Sequence, residues 1–128
     1  MIGIIFWLYF ANTIFVLIHE LQGTYVKEWY YFKPPKKYSE TNLYNFYVYA
    51  HIPLFFVLIL GLVKLSHQSG LIYSLIFSGF MIFHYFIHIS TIKKGKKELD
   101  NLASKIILRV SLIVSLIQFP LTLKVMFF

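Results

Sequence analysis

The chain has 128 residues, is 59% hydrophobic and 20% aromatic, and combines a mean hydropathy of +0.70 with a formal charge of +7. That is too apolar for a water-soluble domain of this size, so it is read as one domain, residues 1–128, solvated by a bilayer. It contains no cysteine, which excludes disulfides, thiolate catalysis, iron–sulfur clusters and cysteine zinc sites; a metal would have to be held by histidine and carboxylate. The positive charge sits in lysines beside apolar runs, as for contact with anionic lipid headgroups, and no basic face carries base-reading residues. Membrane lipid is therefore the expected partner, and nucleic acid is not.

A spanning helix needs about 20 mostly apolar residues. The first candidate covers residues 2–22. It has no basic leader and no small-residue cleavage site, and reads as a retained helix. Asn12 and His19 are seven apart and share a face, and Glu20 follows directly. The loop 23–42 mixes aromatics with Lys27, Lys33, Lys36 and Lys37, a composition suited to the bilayer interface. Pro34 and Pro35 should end any continuing helix. The loop reads either as an anchor belt or as a lip over a site, in which case Glu28 supplies a second carboxylate.

The second span, 43–66, holds His51 and, two residues on, Pro53. Proline cannot donate to the carbonyl of Tyr49, so a bend is expected there. A short connection, 67–70, leads to the third span, 71–92. Here Ser74, Ser78, Met81, His84 and His88 repeat by four, three, three and four, which is one helical stripe. Small polar residues in membrane helices face other helices, so both histidines are expected to face the bundle. After the loop 93–101, with Lys93, Lys94, Lys96 and Lys97, comes the fourth span, 102–126. Ser104, Ser111, Ser115, Gln118 and Thr122 form its interior stripe. Arg109 lies about 200° from Ser111 and reads as snorkelling to headgroups.

The fold class predicted is all-α: an integral membrane, antiparallel four-helix bundle. The two lysine-rich loops must share a side, and the positive-inside rule puts 23–42 and 93–101 in the cytoplasm and both termini outside. A bacterial cytoplasmic membrane is the expected location.

This topology brings His19, Glu20, His51, His84 and His88 to one depth, within about 12 Å of the cytoplasmic interface at 1.5 Å per residue. Ionisable groups in hydrocarbon are costly, which marks the cluster as functional. Histidines four apart project from one helix face and suit two ligands on one ion, so His84 and His88 are candidate metal ligands with His51 or His19 as the third. Catalytic zinc takes three protein ligands and a water, making zinc the first expectation among divalent metals. Glu20 is the candidate catalytic base or a fourth ligand. Haem held by His51 with His84 or His88 is a weaker alternative, because it leaves Glu20 unexplained.

At His19-Glu20, Glu28-Trp29, His51-Ile52-Pro53-Leu54 and Phe83-His84-x-x-x-His88, the chain resembles an uncharacterised family of small four-helix bacterial membrane proteins. That resemblance implies the fold and no activity. The H-x-x-x-H pair alone is also similar to that of alkaline-ceramidase-type membrane hydrolases, in which intramembrane histidines bind zinc. Those enzymes have seven spans and serine and aspartate elements without counterparts here. Sterol-isomerase-like four-helix proteins, which use buried carboxylate and histidine for proton transfer, are a looser analogy. The resulting expectation is a metal-dependent hydrolase of a lipid or amphiphile. The alternative is a non-enzymatic membrane partner or transport subunit with interfacial or proton-relay histidines. A homo-oligomer or an unknown membrane partner is compatible with either.

Overall fold

In hydrocarbon a chain must satisfy its backbone polar groups internally, and four apolar runs do so here as helices. The computed structural model describes residues 1–29, 38–93 and 102–128. They form α1 (Ile2–Tyr25), α2 (Glu40–Lys64), α3 (Leu71–Lys93) and α4 (Leu102–Phe127), with a 3-10 turn at Gln68–Gly70 and no strand among the described residues. Each helix is long and apolar enough to cross a membrane. Lys33, Pro34, Pro35, Lys36, Lys37, Lys94, Lys96 and Lys97 lie outside the described residues.

Every helix end falls within three residues of its expected position, and local chemistry accounts for the differences. α1 runs on to Tyr25, with the Thr24 hydroxyl donating to the Glu20 carbonyl at 3.0 Å. α2 starts early because the Ser39 Oγ accepts from the Asn42 N–H at 3.3 Å and Glu40 lies in the positive first turn. α2 remains one helix through Pro53.

The contacts fix an antiparallel order. The end of α1 meets the start of α2 (Glu20 with Tyr47), and the start of α3 meets the end of α4 (Ser74 with Thr122). The end of α1 and the end of α3 come together through His19 and His88. α4 is the central helix, packed on both α1 and α3, while α2 lies at the edge.

The interior of the α1–α3–α4 unit is polar. Asn12 donates to Ser115 Oγ and Gln118 Oε1, both at 2.9 Å, and accepts from Ser111 at 2.9 Å. Gln118 donates on to Ser74 Oγ at 2.9 Å, and Ser74 pairs with Thr122 at 2.9 Å. All are buried, so both expected stripes face inward. Hydrocarbon offers no hydrophobic drive between helices, and close packing and hydrogen bonds replace it. An apolar cluster including Ile5, Tyr9, Leu58, Leu65 and Phe77 joins α2 to the rest. Tyr9 donates to the Val57 carbonyl at 2.7 Å, an approach that requires Gly61, where a Cβ would overlap the Tyr9 ring. Arg109 is exposed, as its position off the stripe requires.

Candidate metal centre

Consecutive residues on a helix point about 100° apart. His19 and Glu20 therefore address different neighbours from the end of α1. His19 turns to α3, and Glu20 turns to α2. This divergence divides the expected cluster in two.

On the α3 side, His84 and His88 stand one turn apart on the inward stripe. His88 Nε2 lies 3.2 Å from His19 Nε2 and 3.0 Å from His84 Nε2. Its third neighbour is Glu28, whose Oε1 is 2.9 Å away. His19, His88 and Glu28 are almost fully buried, and His84 is half-buried. The four donor atoms lie within 4.8 Å of one another and form a group able to hold a metal ion. Ligands about 2.0–2.2 Å from tetrahedral zinc stand roughly 3.3–3.6 Å apart, close to the spacings around His88.

Glu28 reaches this point through the turn that ends α1. Lys27 takes a left-handed backbone, φ 54°, with its N–H donating to the Thr24 carbonyl at 3.2 Å. Left-handed backbone costs a non-glycine residue roughly 1–2 kcal/mol, and here it swings the next side chain back over the helix end. Gly23 leaves the room: a Cβ there would overlap Glu28 Oε2 and come within 2.8 Å of the Tyr47 hydroxyl.

The donor set fits a cation. An imidazole nitrogen offers either one hydrogen or one lone pair. His88 Nε2 faces two other imidazole nitrogens and a carboxylate oxygen, and one proton cannot serve all three. The Nδ1 atoms of His19, His84 and His88 are buried without a partner among the described residues. The outer hydrogen bonds that commonly orient ligating imidazoles are thus missing among the described residues. Packing orients the rings instead: His84 stacks on Phe80 at 5.4 Å and 15°, and His88 meets the rings of His19 and His84 edge-on at 4.5 Å.

On the α2 side, Glu20 Oε2 accepts from the Tyr47 hydroxyl at 2.7 Å and lies 2.8 Å from His51 Nε2. His51 Nδ1 is 2.6 Å from the Tyr47 carbonyl, which can only accept. Nδ1 therefore carries a hydrogen, and a second proton lies between Nε2 and the carboxylate. Glu20 and His51 share that proton as ion pair or neutral pair.

The structure does not bring His51 together with the other three histidines: its Nε2 meets Glu20, and Glu28 stands in the group beside His19, His84 and His88. His19, His84 and His88 converge as expected. Glu20 is not among the four converging donors; it stands in the adjoining pair with His51. Periodicity gave no sign of Glu28's place, because it lies beyond the helix on a left-handed turn. In the fourth helix's polar stripe, Ser111, Ser115 and Gln118 hydrogen-bond to Asn12 of α1, and Gln118 and Thr122 to Ser74 of α3.

Residues 5–125 match a family of unknown function (DUF6713), and the chain belongs to that family. Comparison with curated proteins and with solved structures finds no match. The similarity to alkaline-ceramidase-type hydrolases gains no support from these comparisons.

Proposed function

We propose that this member of a family without an assigned activity is an integral membrane metalloprotein that hydrolyses a lipid-like amphiphile. The observation that carries the reading is the convergence of three imidazole Nε2 atoms and one carboxylate on a single buried point, beside a second carboxylate that shares a proton with histidine.

His19, His84 and His88 are the proposed ligands of a divalent ion, with Glu28 at the fourth position, which it yields to water in the reaction, and zinc the first candidate on donor type. Held by these residues, a divalent ion would supply Lewis acidity toward a carbonyl and a water acidic near neutral pH. The chain's own contribution is proton handling. Glu20, acting as base, takes a proton from the water that adds to the acyl carbon. His51 returns it to the oxygen or nitrogen that leaves as the acyl bond breaks. Tyr47 holds the carboxylate oriented throughout. Haem is less well supported, since the His51 Nε2 that would pair with His84 or His88 as an axial ligand is engaged by Glu20 at 2.8 Å. The lysine asymmetry favours placing this end of the bundle at the cytoplasmic leaflet.

The test is hydrolysis of ester- and amide-linked amphiphiles by detergent-purified protein, before and after chelation and with divalent ions restored. Activity that falls on chelation, returns with one ion, and drops about 100-fold in Glu20→Gln supports the reading, that being a typical loss for a general base. Hydrolysis indifferent to both treatments, or none with any substrate at full metal loading, removes the enzymatic part.

A further inference from the structure

α2 lies at the edge of the bundle, and in its first half only Tyr47 is buried. That half meets α1 through Glu20, and it also meets the turn that follows α1. From this turn, Lys27 Nζ reaches Glu40 Oε1 at 2.6 Å, and the Trp29 ring packs on the rings of Tyr44 and Tyr47 at 5.2 and 5.6 Å. The ion pair is more than half exposed on both sides and so holds little. Trp29 is buried, and its aromatic contacts are what dock the turn on α2.

Glu28 directly precedes Trp29, and the two side chains part. Glu28 reaches His88 on α3 at 2.9 Å, while Trp29 lies against α2. The turn is therefore a strap, with one side chain in the metal group and the next seated on the edge helix. Its left-handed residue, Lys27, is unfavourable for a side chain with a Cβ, and such a conformation persists only where surrounding contacts impose it. Glu28 and Trp29 share a peptide bond, so displacing one displaces the other.

We infer that Trp29 is the positioning residue for Glu28: seated on Tyr44 and Tyr47, it fixes the strap so that the carboxylate meets His88, and docking of α2 and binding of a divalent ion reinforce each other. The inference rests on the metal half of the proposed function and is independent of hydrolysis. Linkage makes the effect reciprocal: seating Trp29 tightens the ion, and the ion seats Trp29.

The test reads zinc affinity by competition with a coloured chelator, in detergent-purified protein whose zinc content is measured on the same sample. Trp29→Leu should weaken zinc about tenfold, as for the loss of a group that orients a ligand, while Trp29→Phe keeps most of the affinity. Tyr44→Leu, on another helix and outside the four donors, should weaken it in the same direction. In a Glu28→Ala background neither Trp29→Leu nor Tyr44→Leu should cost anything further, because nothing is left to position. Fluorescence gives a second readout. Trp7, exposed on α1, is the only other tryptophan, so Trp7→Phe leaves Trp29 as reporter. Saturating zinc should lower the quenching of Trp29 by acrylamide, and should leave it unchanged when Glu28→Ala is added.

Wild-type affinity in Trp29→Leu overturns the inference, as do equal losses with and without Glu28, which would make Trp29 a packing residue only. So does a zinc-loaded protein whose Trp29 is quenched as readily as in the zinc-free one. These results leave the metal group standing. A wild type that takes up no zinc removes the metal group and the inference together. Helical circular dichroism checks that each variant is folded, and Tyr44→Leu carries the test if Trp29→Leu is not.

Discussion

His88 sits where three partners compete for one nitrogen, and its replacement should be felt differently from that of its neighbours. His88→Ala removes the atom common to three contacts of 2.9–3.2 Å, and loss of bound ion should be complete. Gly23→Ala leaves every ligand in the sequence but pushes Glu28 from its position. Its affinity should fall by about 10- to 100-fold, as for the loss of a group that orients ligands, measured by competition with a coloured chelator. An unchanged affinity would show that Glu28 is not a ligand. Because the three Nδ1 atoms lack acceptors among the described residues, the ion should also be exchangeable, so purification must avoid chelators.

At the scale of the helix, the polar seam between α1 and α4 sets the register that delivers His19 to α3. Asn12 touches three side chains of α4. Single hydrogen bonds in membrane proteins average only about 0.6 kcal/mol, but removing a shared hub leaves several buried partners unmade, so Asn12→Leu should destabilise by about 2 kcal/mol. Ser104→Ala, outside that hub, should cost well under half of this. Thermal unfolding in detergent compares them, and equal midpoints would rule out Asn12 as the hub. The stripes of α3 and α4 were legible because 3.6-residue periodicity survives in polar residues when the solvent is lipid. The partition of the cluster was not. It depends on adjacent residues pointing to different helices, and His19-Glu20 as text carries no direction. The place of Glu28 depends on the left-handed Lys27, which no periodicity encodes.

For the molecule as a whole, the absence of cysteine makes topology directly testable. With both termini outside, Ser69→Cys, in the turn between α2 and α3, should react in intact cells with a membrane-impermeant maleimide. Thr41→Cys, at the opposite end of the bundle, should react only after permeabilisation. The reverse pattern would invert the proposed orientation and put the metal group at the outer leaflet. The fold itself stems from four apolar runs and short connections. The assembly of one carboxylate with three imidazoles at the bundle end is what gives this membrane protein a chemical identity.

The most direct test is elemental analysis of untagged, detergent-purified protein after loading with zinc, manganese or iron and removal of excess ion. The account predicts about one ion per chain in the wild type and in His51→Asn, since His51 belongs to the Glu20 pair, and almost none in His88→Ala, which lacks the nitrogen at the centre of the three- to four-ligand set a bound ion requires. No ion in the wild type, or as much in His88→Ala as in the wild type, would contradict it.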